Sequence, residues 1–213
     1  MGVLERDPAE TATTLAAWLA TRPGIGEPRV DHVDIPASTG WSNETILFDA
    51  RWHDDRGEHT HELVARIAPS GYQVFPDDTF LRQHTVMKAL AERSTVPAAR
   101  VHWLDEDPRW FGQPFWIMER VAGDIATDAP PYASAGWLHD ATTDQQARAW
   151  WSGVDALVGV ATVDLDALEL PAGTLPGADD PLGWHLEHVE RFLTWAEDGT
   201  PHPLARRADH RDR

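Results

Sequence analysis

A loop of small polar residues directly before a strand-like run is the first part of this sequence that could do chemistry. Gly40, Ser42 and Asn43 stand together in the stretch STGWSNETILFDARW, and an apolar run from Ile46 to Ala50 follows. Two interpretations are open: an ordinary turn that enters a strand, or a loop whose backbone N–H groups lie over phosphates. Glycine suits the second, because it has no side chain to block close approach of the backbone.

Two groups of histidines have spacings that raise the question of a metal site. His53, His59 and His61 flank one predicted hairpin, and His185 and His188 lie one helical turn apart. Two histidines at positions i and i+3 can share a metal ion, but no acid spacing such as HExxH accompanies them. We therefore expect solvated or core histidines. The sequence has no Cys, which excludes thiolate catalysis, and it has no GxSxG motif for a serine nucleophile.

The elements that would position these residues change in type along the chain. A helix capped by Asp7 opens it, five strand-like stretches with one inserted helix follow, and two longer helices come last. The predicted strands are Arg29 to Ile35, Glu44 to Trp52, His61 to Ile67, Val101 to Leu104 and Phe115 to Glu119. The predicted later helices are a segment from Phe80 to Leu90 capped by Asp77 or Asp78, Thr143 to Val160, and Asp180 to Trp195. Because the strands come first and the longer helices last, the sequence predicts an α+β fold in two lobes.

The composition of the 213 residues limits the kinds of partner. Apolar residues make up 42% and charged residues 25%, as in ordinary globular domains. The net charge of −17 argues against non-specific binding to nucleic acid or to an anionic membrane. We find no apolar signal core and no apolar run that could span a membrane, so we expect a cytoplasmic protein. Among the 11 Trp, the pair Trp150-Trp151 is expected to pack in a core or between helices.

Five stretches, in this order, resemble the aminoglycoside phosphotransferase-like family of small-molecule kinases. They are STGWSNETILFDA, ELVARIAP, FLRQHTVMKALAE, VPAARVHWLDEDPRWFGQPFWIMERVAG and QARAWWSGVDALVGVATVDLDAL, and together they span roughly residues 28–197. The resemblance implies a protein-kinase-like fold: an antiparallel sheet N-lobe with one main helix, then an incomplete all-helical C-lobe. The expected division is an N-terminal helix and lead-in (1–27), a nucleotide-binding N-lobe (28–122), a partial helical C-lobe (123–200) and a charged tail (201–213).

The resemblance also implies which residues would meet a nucleotide. Arg66 stands where the family has a strand-borne cation for the phosphates, usually Lys, and Gln83 stands where the following helix usually supplies Glu to hold that cation. Arg is bulkier than Lys, and Gln can accept a hydrogen bond without neutralising the charge. The other matched positions are Gly40, Ser42 and Asn43 in the phosphate-covering loop and Met118, Glu119, Arg120 and Val121 in the hinge, whose backbone reads the adenine edge in the family.

ATP with Mg²⁺ is the cofactor that the resemblance implies, and a hydroxyl group of a small molecule is the acceptor. The family uses a His-x-Asp-x-x-x-x-Asn loop and a second acid that holds Mg²⁺. Neither motif is present, because His210-Arg211-Asp212 is followed only by Arg213, and His139-Asp140 lacks the Asn. We therefore expect a chain truncated before its catalytic loop, without metal ligands, inactive alone, and with weakened ATP affinity. An exposed apolar underside of the lobe would favour self-association or a partner.

Two other interpretations stay open at this point. The chain could be a non-catalytic, pseudokinase-like module that holds a nucleotide or a partner. It could also be an unrelated α+β protein in which the turn at Gly40 is only a turn.

Overall fold

The predicted strands and helices are present, with ends that differ by a few residues. The computed structural model describes residues 6–36, 43–55, 57–71, 79–177 and 179–209. The strands are β1 (Gly26–Asp34), β2 (Glu44–Asp54), β3 (Gly57–Ile67), β4 (Val101–Asp105) and β5 (Phe115–Glu119). The helices are α1 (Pro8–Leu19), α2 (Phe80–Arg93), α3 (Trp137–Asp140), α4 (Thr143–Ala161), α5 (Pro181–Glu197) and α6 (Pro203–Asp209).

The five strands form one sheet in the order β1-β2-β3-β5-β4, and every neighbouring pair is antiparallel. Strands β2 and β3 form the predicted hairpin, with Asp54 opposite Gly57 at its closed end. Strand β3 is central, and its Arg66 lies opposite Trp116 of β5. Because successive side chains of a strand point to opposite faces, the residues on either side of Arg66 belong to the other side of the sheet.

Helix α1 covers one face of the sheet and makes the main core there. Its start is the predicted one, since the Asp7 carboxylate accepts hydrogen bonds from the N–H groups of Ala9 (2.8 Å) and Glu10 (2.9 Å). Trp18 is completely buried, and its indole Nε1 donates to Asp105 Oδ2 at 2.7 Å. Helix α1 therefore forms one hydrophobic core with the sheet. The buried members of this core include Leu15, Leu19, Ile46, Phe48, Leu63, Ala65, Ile67, Phe115 and Ile117.

Helix α2 packs on the opposite face with a smaller apolar cluster. Phe80, Val101 and Trp116 are buried there, and Met87 and Met118 pack against them. The residue in the N-cap position is Thr79, without a side-chain capping bond. The prediction of Asp77 or Asp78 as the cap is therefore wrong in position, and both aspartates lie outside the described residues.

The helical segments after β5 are attached to α2 by polar contacts. Arg93 donates to the Leu168 carbonyl at 2.7 Å and lies 3.1 Å from a carboxylate oxygen of Glu169, and Leu168 is 2% exposed. The packing predicted for the Trp150-Trp151 pair is wrong: Trp150 is 69% and Trp151 60% exposed. Helix α4 buries none of its residues.

None of the helices in the described ranges combines the length and the apolarity that crossing a membrane requires.

Candidate functional site

A cavity of about 590 Å³ lies on the α2 face of the sheet, within the size range of small-molecule sites. Its walls come from β3, β5, α2, and the segment that leads into α5. The lining residues are Arg66, Arg82, Gln83, Val86, Met87, Trp116, Met118, Leu175, Pro176 and Trp184. Three of them, Arg66, Gln83 and Met118, are residues that the sequence singles out.

Strand alternation turns Arg66 toward the cavity. Its neighbours Ala65 and Ile67 are fully buried in the core under α1, so the guanidinium must lie on the α2 face. There its Cζ is 5.9 Å from the centre of the Trp116 ring, within the range of a cation–π contact. Burial lowers the pKa of Arg66, yet an arginine stays charged in a protein. A guanidinium in this position can donate hydrogen bonds to an anion in the cavity.

Gln83 is held by neutral hydrogen bonds. Its Oε1 accepts from Asn43 Nδ2 at 3.1 Å, and its Nε2 donates to Thr79 Oγ1 at 2.8 Å. Asn43 is 5% exposed and stands immediately before β2. The amide bridge therefore ties the end of the small-residue loop to the first turn of α2. Gly40 and Ser42, the other two predicted loop residues, lie outside the described residues.

Three of the four predicted hinge residues, Glu119, Arg120 and Val121, lie at or just after the end of β5, beyond the cavity wall. Arg120 is held on the sheet, because its guanidinium donates to Asp49 at 2.7 Å and to Glu62, and its N–H donates to the Glu62 carbonyl. Glu119 accepts a hydrogen bond from the Arg100 N–H at 2.9 Å, and Val121 is 68% exposed. None of these three side chains lines the cavity, whereas Met118, one residue earlier, does.

Trp184, near the start of α5, forms the wall opposite the sheet together with Leu175 and Pro176. Its position depends on Gly177, which has a φ of +74° and would place an added Cβ 2.3 Å from the Trp184 Cβ. Only glycine fits a backbone that close at a positive φ. Helix α5 begins beside it, where Asp180 accepts a hydrogen bond from the Gly183 N–H at 2.9 Å.

A model of the phosphotransferase enzyme family matches residues 35–212, which include strands β2 to β5, helix α2 and the cavity walls. The chain belongs to this family. A crystal structure of a Ralstonia eutropha JMP134 protein assigned as an aminoglycoside phosphotransferase is similar in fold, with a TM-score of 0.54 and 21% identity over 89% of this chain.

The probable acyl-CoA dehydrogenase IBR3 of Arabidopsis thaliana is 28% identical over 131 residues, 62% of this chain. The chain spans 48% of the length of the Ralstonia protein and 15% of the Arabidopsis protein.

Several cavity residues of this phosphotransferase-family chain are not singled out by the sequence. Arg82 precedes Gln83 and could have been found as the one basic residue in the first turn of α2. Trp116 could have been found once β5 was paired with β3. No local signal identifies Trp184 or the Leu175-Pro176 pair, since they reach the cavity only through the packing of the later segments.

The described residues of the cavity do not form a magnesium site. No carboxylate is among the described residues that line it, although carboxylate oxygens are the ligands that Mg²⁺ takes from proteins. No group of three or more His, Cys, Asp or Glu side chains suited to a metal occurs anywhere in the described ranges. His210-Arg211-Asp212 lies outside the described residues.

Proposed function

We propose that this chain forms the nucleotide-binding part of an ATP-dependent kinase for small-molecule hydroxyl groups. The ATP phosphates would lie against Arg66 and the loop that ends at Asn43, and the adenine edge would meet the backbone of Glu119 to Val121. The observation that carries the proposal is the convergence of Arg66, Gln83 and the Asn43 bridge at one cavity. Membership of the phosphotransferase family supports the same assignment.

The chain's own residues account for binding and not for the transfer step. A guanidinium and backbone N–H groups can hold phosphate oxygens, and the aromatic ring of Trp184 gives the cavity an apolar wall. Phosphoryl transfer in kinases also needs an acid that orients the acceptor hydroxyl, and no acid is among the described residues that line this cavity. We therefore propose that residues 1–213 bind ATP and do not transfer phosphate by themselves, with no step routed through a metal ion.

A second candidate is a module that binds a nucleotide and catalyses no phosphate transfer, even when further segments are joined to it. The neutral Gln83 at the position of the usual Glu favours it, because the acid–cation pair is a required part of the active kinase arrangement.

The test is an isothermal titration of the purified chain with ATP, for the wild type and two matched variants. Arg66→Gln should weaken binding by about tenfold or more, since it removes a charge-assisted contact. Arg51→Gln is the control: Arg51 lies in the same sheet, is paired with Asp31 and does not line the cavity. Equal affinities for wild type and Arg66→Gln would contradict the binding site.

The transfer step is tested separately with γ-labelled ATP and a panel of hydroxyl compounds that includes amino sugars and simple alcohols. We expect no labelled product. Robust phosphorylation by this chain would contradict the proposed division between binding and transfer. Activity gained on addition of a catalytic segment that supplies the missing acid would favour the kinase over the non-catalytic module.

A further inference from the structure

Helix α4 exposes a face of large apolar side chains. Trp150 is 69%, Trp151 60%, Leu157 67% and Val158 54% exposed. At 3.6 residues per turn, these four and the half-buried Val154 lie within about 120° of the helix circumference. We call these five side chains the α4 face. Apolar residues on one side of a helix normally pack against another element, so the α4 face has the composition of a contact surface.

The α4 face is large enough to form an interface. Taking about 250 Å² for a whole Trp side chain, Trp150 and Trp151 together expose on the order of 300 Å². Leu157 and Val158 bring the patch to the size at which exposed apolar surface marks an interaction site. Two such faces in contact would bury roughly 1,000 Å² in total, which is the lower end of specific protein complexes.

The other side of α4 meets its own chain. Gly159 lies there, and a Cβ added to it would be 3.8 Å from Cγ2 of Val96, in the segment that follows α2. The α4 face is turned away from this contact, so another molecule can reach it.

Gly153 stands at one edge of the α4 face, beside Trp150 and Leu157. A Cβ added at this position would meet no atom of the described chain within 4 Å, so packing inside one copy does not require a glycine. Glycine in the middle of a helix is less stable than alanine. It does allow a bulky group of another molecule to approach the backbone closely, which gives Gly153 a role in a contact between molecules.

Two opposite charges stand at the other edge of the α4 face, beside Trp151. Arg148 and Asp155 are both exposed, and their seven-residue spacing puts them on the same side of the helix, about 10 Å apart along its axis. That is too far for an ion pair within one helix, where partners stand three or four residues apart. Within the described part of the chain, neither forms an ion pair with another residue.

These edges are self-complementary in one arrangement of two helices. If two copies of α4 pack antiparallel about a two-fold axis that passes between Trp151 and Ser152, Arg148 of each copy lies opposite Asp155 of the other. The same register sets Trp150 of each copy at the level of Gly153 of the other. A two-fold axis repeats every contact, so the pair gains two ion pairs and two fits of a large side chain against a small one.

We infer that the α4 face joins two copies of this chain in an antiparallel, two-fold symmetric dimer. None of its residues lines the cavity, so the inference goes beyond the proposed function and does not depend on nucleotide binding. The charge pattern and Gly153 favour a second copy over an unrelated partner, because each supplies the complement of what the other copy presents.

The test is sedimentation velocity of the full 213-residue chain over a range of concentrations. Salt is kept at about 0.15 M to screen the repulsion between two copies that each carry −17. We expect a monomer–dimer equilibrium with a dissociation constant of about 1–100 µM, as suits a small interface. Arg148→Asp and Asp155→Arg should each weaken the dimer by about tenfold or more, because each puts like charges opposite one another twice.

The double variant with Arg148→Asp and Asp155→Arg is the decisive one. It keeps the net charge of the chain and restores opposite charges across the two-fold axis, so it should dimerise within about threefold of the wild type. Glu187→Arg is the control, because it makes the same change of charge as Asp155→Arg at an exposed position of α5. It should change the dissociation constant by less than about threefold.

Gly153→Gln separates an interface role from a role in folding. Glutamine is a better helix former than glycine, so the urea unfolding midpoint at about 1 µM protein, chosen to keep the chain monomeric, should stay the same or rise. The side chain would block the approach of Trp150 from the other copy, and the dimer should weaken by about tenfold.

Three results would overturn the inference. A monomer at all concentrations up to about 1 mM would leave the α4 face to a different polypeptide. A dimer that the single charge changes weaken and the double change does not restore would exclude the antiparallel register. Assembly that continues beyond the dimer as concentration rises would exclude a closed two-fold interface.

Discussion

Replacing Trp18 by Ala should be the most damaging single change on the face of the sheet opposite the cavity. The indole is completely buried, meets Trp103 and Phe115 edge to face at 5.7 and 5.1 Å, and donates to Asp105 at 2.7 Å. Truncating a buried Trp to Ala costs about 3–5 kcal/mol. A bond to a charged acceptor contributes about 1.5–3 kcal/mol, so we expect Trp18→Ala to lie in the upper half of the truncation range.

The assay is urea unfolding followed by far-ultraviolet circular dichroism, with the free energy of unfolding taken from the midpoint and slope. Trp150→Ala makes the same change at a side chain that is 69% exposed, and it should cost no more than about 0.5 kcal/mol. Trp18→Phe keeps most of the packing and removes the Nε1–H group, so it should cost about 1.5 kcal/mol or more. Equal losses for Trp18→Ala and Trp150→Ala would refute the burial of α1 against the sheet.

The remaining predictions concern the pH response, the link between α2 and the later segments, and the cavity charge. Three histidines have pKa values lowered from 6.5, chiefly by burial: His61, His84 and His102. Since the unfolded chain binds these protons more readily, their effect lowers stability as pH falls below about 6.5, and unfolding midpoints at several pH values check this. Arg93→Gln should cost about 1 kcal/mol by losing the bond to Leu168, and proteolysis after α4 should speed up. Gln83→Glu should fold normally, because Asn43 can still donate to the side-chain oxygen and the Thr79 hydroxyl can donate to the new carboxylate instead of accepting from Gln83. Isothermal titration should find weaker ATP binding, because the carboxylate would compete with phosphate for the Arg66 guanidinium.

The strands were predictable because local patterns decide them. Alternation in β2 and β3 sets which residues face the core, and the polar turn before Gly57 closes their hairpin. The sheet bounds therefore differ from the predictions by only a few residues, and β5 (Phe115–Glu119) agrees with its prediction at both ends. The order of the strands is less local, since β5 lies between β3 and β4, and the strand patterns do not specify it.

The partners of individual side chains could not be predicted in the same way. The apolar character of Trp150 indicates a tendency to be buried, but a helical pattern does not specify which element covers it. The bridge from Asn43 to Gln83 joins two segments that are distant in sequence, and neither residue type requires the other. The wall formed by Trp184 depends on the tight approach of Gly177, which is a property of the folded chain and has no signature in the sequence.

The chain differs from the usual kinase pair in two residues, Arg66 in place of Lys and Gln83 in place of Glu, and the two differences are physically related. A glutamate opposite Arg66 would form a two-pronged ion pair, because the planar guanidinium matches a carboxylate better than an ammonium does. Such a pair would compete directly with phosphate oxygens for the same N–H groups. A neutral Gln83, held by Asn43 and Thr79, keeps α2 in position without that competition. An arginine on β3 would thus be better suited to binding phosphate when the helix offers an amide, which is consistent with the proposed nucleotide site.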